Sequence, residues 1–341
     1  LNEISGERLD ILNRLRNGES LILIVPLEAG LQRVMPREVL EKMVFSVYCK
    51  MSLEREFLEA CLSDNGFKRC SMVENKGEFS ARGDIVDLFQ PCSINPIRIE
   101  FFGDEVESIR EFDVLSQVST NELDSANILP VREFSLNEGE KKQGIEAIKN
   151  FAEKNTCDRL ALKELLEKIE HLGVFSGMEY LAPFFNPAQE SLFDYLDRDS
   201  LVVLADEDQL QDKSELFQNL IETEYDTVLG NGDIAAAPEE LYLMMDEFKK
   251  NVSEFKGCIA LNTLKISDEE SGRTIGLEVK QIPPLVGKFE DFSAQVLRWQ
   301  EEENRVVVVA PTKGQVRRIH ELLHEWGLEI DVDLGRISEG F

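Results

Sequence analysis

GEFSARGDIVDLFQPCSINPIRIEFFGDEVESIREFD, residues 77–113, decides how the middle of this chain folds. Strand side chains alternate between the two faces of a sheet, so Ile97, Ile99 and Phe101 share one face while Arg98, Glu100 and Phe102 share the other. The same alternation turns Phe79 and Ala81 inward and leaves Ser80 and Arg82 outward. One face is an ordinary apolar core. The other sets a phenylalanine among charged groups, where water is expected. Strand signals at KRCSMV, GEFSARG, DIVDLF and IRIEFF are interrupted by QPCSINP with its two prolines. They follow SLEREFLEACLSDNGF (52–67), a helical stretch closed by Asn-Gly, and together predict a small α+β domain over residues 45–130.

At 341 residues the chain is long enough for two or three domains. With 43% hydrophobic residues it has the composition of a globular protein. Its 37 basic residues against 66 acidic ones give a net charge of −29, which argues against attraction to nucleic-acid phosphate by bulk charge. The six cysteines follow no CxxC or metal-ligand spacing and read as reduced thiols of a cytosolic protein. No apolar run approaches the ~20 residues of a membrane span, and no signal peptide is recognisable. Opening on Leu1 and ending on Phe341, the chain reads as a piece of something longer.

Residues 2–17 predict a helix and LILIV (21–25) a short buried strand. From about 131 the pattern turns helical, with KQGIEAIKNFAEK and LALKELLEKIEHLG. A buried strand SLVVLAD (200–206) and a helix follow, then a helix across PEELYLMMDEFKKNV and a strand at GCIAL (257–261). SDEESGRT (267–274) is polar and rich in turn formers, a linker candidate. Beyond it, a helix (289–303), the strand RVVVVAP (305–311), a helix (313–326) and EIDVDL (329–334) form a β-α-β unit within part of a further α/β domain. Residues 1–44, 131–266 and 267–341 thus flank the small domain as α/β segments.

Two motifs suggest catalysis. HELLH (320–324) fits the HExxH pattern, in which two histidines one helical turn apart hold zinc beside a glutamate base. At about 100° per residue, however, Val316, Ile319, Leu322, Leu323 and Trp326 form the apolar stripe, and His320 and His324 fall with Arg317, Glu321 and Glu325 on the solvated side. LVVLADEDQ (201–209) resembles an apolar strand ending in magnesium-binding acids. It equally describes a strand followed by the acidic start of a helix. No GxxxxGK[ST] phosphate loop occurs, since PPLVGKFED lacks the first glycine and the hydroxyl residue, and no GxSxG is present. The residues therefore imply no catalytic centre, no metal and no cofactor.

The run GEF-x-x-RGDIVDLF followed by IRIEFFGDE-x-ESIREFD resembles the second domain shared by the excinuclease subunit UvrB and the bacterial transcription-repair coupling factors, the Mfd family. FSGMEYLAPFFNPAQESLFDYLDRDSLVVLADEDQ resembles the next part of the same module. VPLEAGLQRVMP and RVVVVAPTKGQVRRIHELLHEWGLEIDV are similar to its first domain and to the α/β domain that follows. Aligned from LFDY, Ala205 stands where UvrB has its metal-binding Asp and Asp206 where it has its Glu, a degeneration that resembles the coupling factors, whose UvrB-like module has lost ATPase function.

The resemblance implies a UvrB-like module: an α/β domain (1a ending near residue 44, 1b at 131–266, degenerate) with an inserted UvrA-binding domain, then the start of a third domain. It implies recruitment of UvrA in bacterial transcription-coupled repair, with Arg82, Arg98 and Phe102 as the contact residues. In that family RNA polymerase and DNA are engaged by a motor that uses ATP and magnesium and would lie beyond residue 341. Two other readings stay open: a UvrB-like nucleotide hydrolase, and an acidic scaffold with no UvrA contact.

Overall fold

The structure, a computed structural model, describes residues 2–133, 138–155, 157–171, 175, 177–262, 275, 289–310, 312–328 and 330–334. It forms two compact units, residues 1–266 and 267–341. The candidate linker 267–274 and the PPLVGK part of PPLVGKFED lie outside the described residues.

The first unit opens with α1 (Asn2–Arg16), α2 (Leu27–Leu31) and α3 (Arg37–Met43). Leu9 and Leu12 of α1 bury against Leu40 and Met43 of α3 and against Tyr195, whose hydroxyl donates to the carbonyl of Met35 at 2.7 Å. The strand expected at 21–25 does not form, and Ile22 and Ile24 are almost fully exposed. An apolar run becomes a strand only where a neighbour takes up its backbone groups, and no described strand lies beside this one.

The small domain begins at β1 (Phe45–Tyr48), which pairs antiparallel with β8 (Ser125–Ile128), so the chain enters and leaves it side by side. Between them run α4 (Arg55–Asp64) and a six-stranded sheet of β2 (Lys68–Arg69), β3 (Glu78–Arg82), β4 (Ile85–Phe89), β5 (Ile97–Phe102), β6 (Glu105–Phe112) and β7 (Ser119–Leu123), in that spatial order. All neighbours are antiparallel except β2 with β3. The strand expected at KRCSMV thus shrinks to Lys68 and Arg69. Leu58 and Leu62 of α4 close the core against Phe79, Val86, Leu88, Ile97, Ile99, Phe101, Val106 and Ile109, the face that alternation assigns.

The rest of this unit is helical with a small parallel sheet. α5 (Glu138–Asn155) and α6 (Arg159–His171) pack through Ile148 and Ile169 on α7 (Ala182–Phe185). β9 (Leu201–Ala205) leads into α8 (Glu207–Gly230), and α9 (Pro238–Leu241) and α10 (Met245–Ser253) precede β10 (Gly257–Leu261), parallel to β9. The single helix expected at 238–252 is broken because Leu243 is buried and its N–H donates to the carbonyl of Leu31, which pulls the chain straight there. In the second unit α11 (Phe289–Glu301), β11 (Val307–Ala310), α12 (Lys313–Glu325) and β12 (Asp331–Leu334) form a parallel β-α-β arrangement around Val296, Leu323 and Leu328.

Candidate functional site: the outer face of the six-stranded sheet

Two hairpins set this face. β3 turns into β4 through Gly83-Asp84, and β5 into β6 through Gly103-Asp104. Gly83 and Gly103 have φ of +58° and +60°, the conformation that a two-residue hairpin with glycine first requires. Alternate antiparallel turns lie at the same end of a sheet, so Arg82 and Phe102, each the last residue before such a turn, share that end. Arg82 stands in the cross-strand row of Ile85 and Glu100, and Phe102 projects beyond it. Phe102 is 80% exposed, against 4% for its neighbour Phe101.

Arg98 lies one row deeper, in line with Ser80 and Asp87 on one side and Arg110 on the other. Asp87 is fully buried and accepts from three guanidinium nitrogens: Arg98 Nε at 2.7 Å, Arg98 Nη2 at 3.0 Å and Arg82 Nη2 at 3.3 Å. The bond to Asp87, and its charge, hold the Arg98 proton more tightly than usual. The row continues outward as Arg110 to Glu122, and Arg110 also meets Glu100, which accepts from Ser108 Oγ at 2.7 Å.

The face is therefore not uniformly wet. Val73, Phe89 and Phe112 form a small second cluster on it, with Cys70 and Val114 against them, and the Arg98 guanidinium stacks on the Phe112 ring at 4.8 Å. Arg98 keeps 15% of its side-chain exposure and Arg82 54%. The structure thus brings the three residues together on one side of the sheet but differentiates them: Phe102 open, Arg82 partly open, Arg98 largely covered. Asp87, the residue that joins the two arginines, was not singled out from sequence. Its signal was there, since DIVDLF places Asp87 in register with outward-facing positions.

The other candidates belong to different elements. His320 and His324 are exposed on α12, where Glu321 pairs with Arg317 and Arg318. Asp206 caps α8 in a left-handed conformation (φ 53°, ψ 60°), its N–H donating to the carbonyl of Leu261, while the Glu207 N–H donates to Asn262. These backbone groups are engaged in fastening β9 to β10. Among the described residues no group of three or more His, Cys, Asp or Glu side chains is arranged to hold a metal ion, and no helix is long and apolar enough to cross a membrane.

Residues 45–134 match the family of UvrB interaction domains. Along 96% of its length the chain is 27% identical to the transcription-repair-coupling factor of Bacillus subtilis and covers 28% of it. Along 99% it is 30% identical to that of Haemophilus influenzae, covering 30%. Along 96% it is 26% identical to that of Myxococcus xanthus, covering 28%. The chain thus spans less than a third of the length of these relatives.

Proposed function

We propose that the chain is the N-terminal, UvrA-recruiting part of a transcription-repair-coupling factor, because residues 45–134 match the UvrB interaction domains and nearly the whole chain is similar to such factors. Its work is to bind. In a transcription-repair-coupling factor this part would bring UvrA to the place where transcription has stalled at damage, while RNA polymerase, DNA, ATP and magnesium would be handled by the remainder of the protein. The surroundings of that work would be the bacterial cytoplasm.

The observation that carries the reading is Phe102, a large apolar ring held open to solvent on an ordered hairpin, beside two arginines oriented by one buried carboxylate. Aromatic and arginine side chains are the residues on which interface energy concentrates. An anchor carried on an ordered hairpin gives up less backbone freedom on docking than one on a mobile loop. The partner face that fits is an apolar pocket flanked by acidic groups. The reading that this chain hydrolyses nucleotide has less support, since Ala205 offers no metal ligand and no phosphate loop is present in the sequence.

The test is a titration of purified UvrA against the chain without nucleotide or DNA, followed by a binding isotherm. Saturable one-site association is expected. Absence of association up to about 100 μM UvrA, a weak limit even for transient complexes, would remove the recruiting role.

A further inference from the structure

The face around Arg98 continues into a turn, residues 113–118 (DVLSQV), that the docking residues do not include. A dense set of hydrogen bonds fixes its shape. Asp113 Oδ1 accepts from the N–H and the hydroxyl of Ser116, both at 2.8 Å. The Gln117 N–H donates to the Asp113 carbonyl at 2.8 Å, and the Asp113 N–H to the Val118 carbonyl at 3.0 Å. Gln117, held at φ 57°, sends its side-chain amide to the carbonyls of Val114 at 2.8 Å and Val73 at 3.3 Å. Its own carbonyl accepts from Arg98 Nη1 at 3.3 Å.

This rigid turn does something costly with its apolar residues. Val114 points into the cluster of Val73, Phe89 and Phe112, but Leu115 is 95% exposed and Val118 61%. A mobile loop can fold its leucine away, whereas a turn pinned this thoroughly presents it. Arg98, bonded to Asp87 on one side and to Gln117 on the other, ties the turn to the docking face. Along β5 the order is then Phe102, the paired arginines, and the Leu115–Val118 tip: apolar, charged, apolar. From Arg98 to Phe102 is about 13 Å at strand rise, and a stable interface covers about 800 Å² on each partner, more than one ring and two guanidinium groups supply.

We infer that the turn at 113–118 is a second apolar anchor of the UvrA-docking face, with Leu115 and Val118 received in a partner groove distinct from the pocket for Phe102, and with Gln117 fixing its distance from Arg98. This rests on the recruiting role proposed above and extends it to residues that role does not require.

The experiment compares UvrA binding by the unmodified chain, Phe102→Ala, the double variant Leu115→Ser/Val118→Ser, and Ile94→Ser, an equally exposed apolar residue in a different connection. The double variant should bind about tenfold more weakly, as loss of an interface anchor does, with an unchanged thermal midpoint, and Ile94→Ser should bind normally. If Phe102→Ala weakens binding and the double variant does not, the second anchor is wrong and the docking reading stands. Equal weakening by Ile94→Ser would also overturn it, by showing general stickiness. If the double variant weakens binding and Phe102→Ala does not, the anchor stands and the pocket assigned to Phe102 falls. If UvrA binds all four alike, docking lies elsewhere and both readings fail together.

Discussion

Arg98 closes on Asp87 through two parallel hydrogen bonds, Nε to Oδ1 at 2.7 Å and Nη2 to Oδ2 at 3.0 Å, with the carboxylate wholly out of solvent. The geometry is the fork-to-fork pairing that makes arginine the strongest carboxylate partner. It makes Arg98, one of the residues proposed to meet UvrA, at the same time the counter-charge of a buried acid.

Arg98→Ala should therefore destabilise the chain. Removing one member of a buried ion pair typically costs about 3–5 kcal/mol, and Arg82 at 3.3 Å offsets only part of that. Placement of Arg98 on a purely solvated face predicts an intact fold for this variant, and the burial of Asp87 overturns that expectation. Denaturant unfolding should show the loss. The double variant Arg98→Ala/Asp87→Ala should recover much of it, and additive losses would mean that the pair is not energetically coupled.

Phe102→Ala separates binding from folding. Its ring contributes almost nothing to the core, so unfolding free energy should stay within about 0.5 kcal/mol of the unmodified chain. UvrA affinity should drop by about 2 kcal/mol or more, roughly thirtyfold, through faster dissociation. A binding curve that overlays the unmodified one would leave the exposed ring without a role.

Arg82→Ala should act differently again. Half exposed and holding Asp87 by one long bond, Arg82 sits at the wet edge of the face. Charges at an interface rim mainly influence encounter. The variant should slow association a few-fold at low salt, and the difference should fade as salt approaches about 0.5 M, where the Debye length is only ~4 Å. A dominant effect on dissociation would place Arg82 in the desolvated centre instead.

What was legible in the sequence was local. Period-two alternation assigned which of residues 97–102 face the core, whereas the hairpins at Gly83-Asp84 and Gly103-Asp104 that place Arg82 and Phe102 at one end emerge from the structure. What covers Arg98 was not legible, because Phe112, Val73 and the turn at 113–118 reach it only through tertiary packing. The same limit explains LILIV. Its apolar run carries the signature of a buried strand, but whether a neighbouring strand lies beside it is a property of the fold. Leu243 broke a helix for the reverse reason: a distant carbonyl, that of Leu31, claimed its N–H.

Neither ATP nor zinc should be held. With no phosphate-cradling loop in the sequence, nucleotide hydrolysis by the purified chain should not exceed background, and zinc should not accompany it, since His320 and His324 face solvent with no third ligand grouped beside them among the described residues. An ATPase rate abolished by Asp206→Ala, or one zinc per chain released by His320→Ala, would contradict these expectations.

The last prediction concerns Tyr195, in the core cluster of α1 and α3. Its ring is buried among Leu9, Leu12 and Met35, and its hydroxyl donates to the Met35 carbonyl. Burial, reinforced by nearby Glu190, pushes its ionisation well above the ordinary value of about 10. The sign follows: below about pH 10 both folded and unfolded chains keep the proton, and the contribution of this site is fully present. Above pH 10 the unfolded chain releases the proton while the folded chain retains it, so stability falls, by at most about 1.4 kcal/mol per pH unit from this one group. Tyr195→Phe should cost about 1–3 kcal/mol at pH 8, because the Met35 carbonyl loses its partner. Between pH 10 and 11 that deficit should shrink by about 1 kcal/mol. Tyr225 and Tyr242, also raised by burial, would leave a residual alkaline slope in both proteins. A gap between the two that stays constant from pH 8 to 11 in denaturant titrations would show that Tyr195 ionises in the folded chain as readily as in the unfolded one.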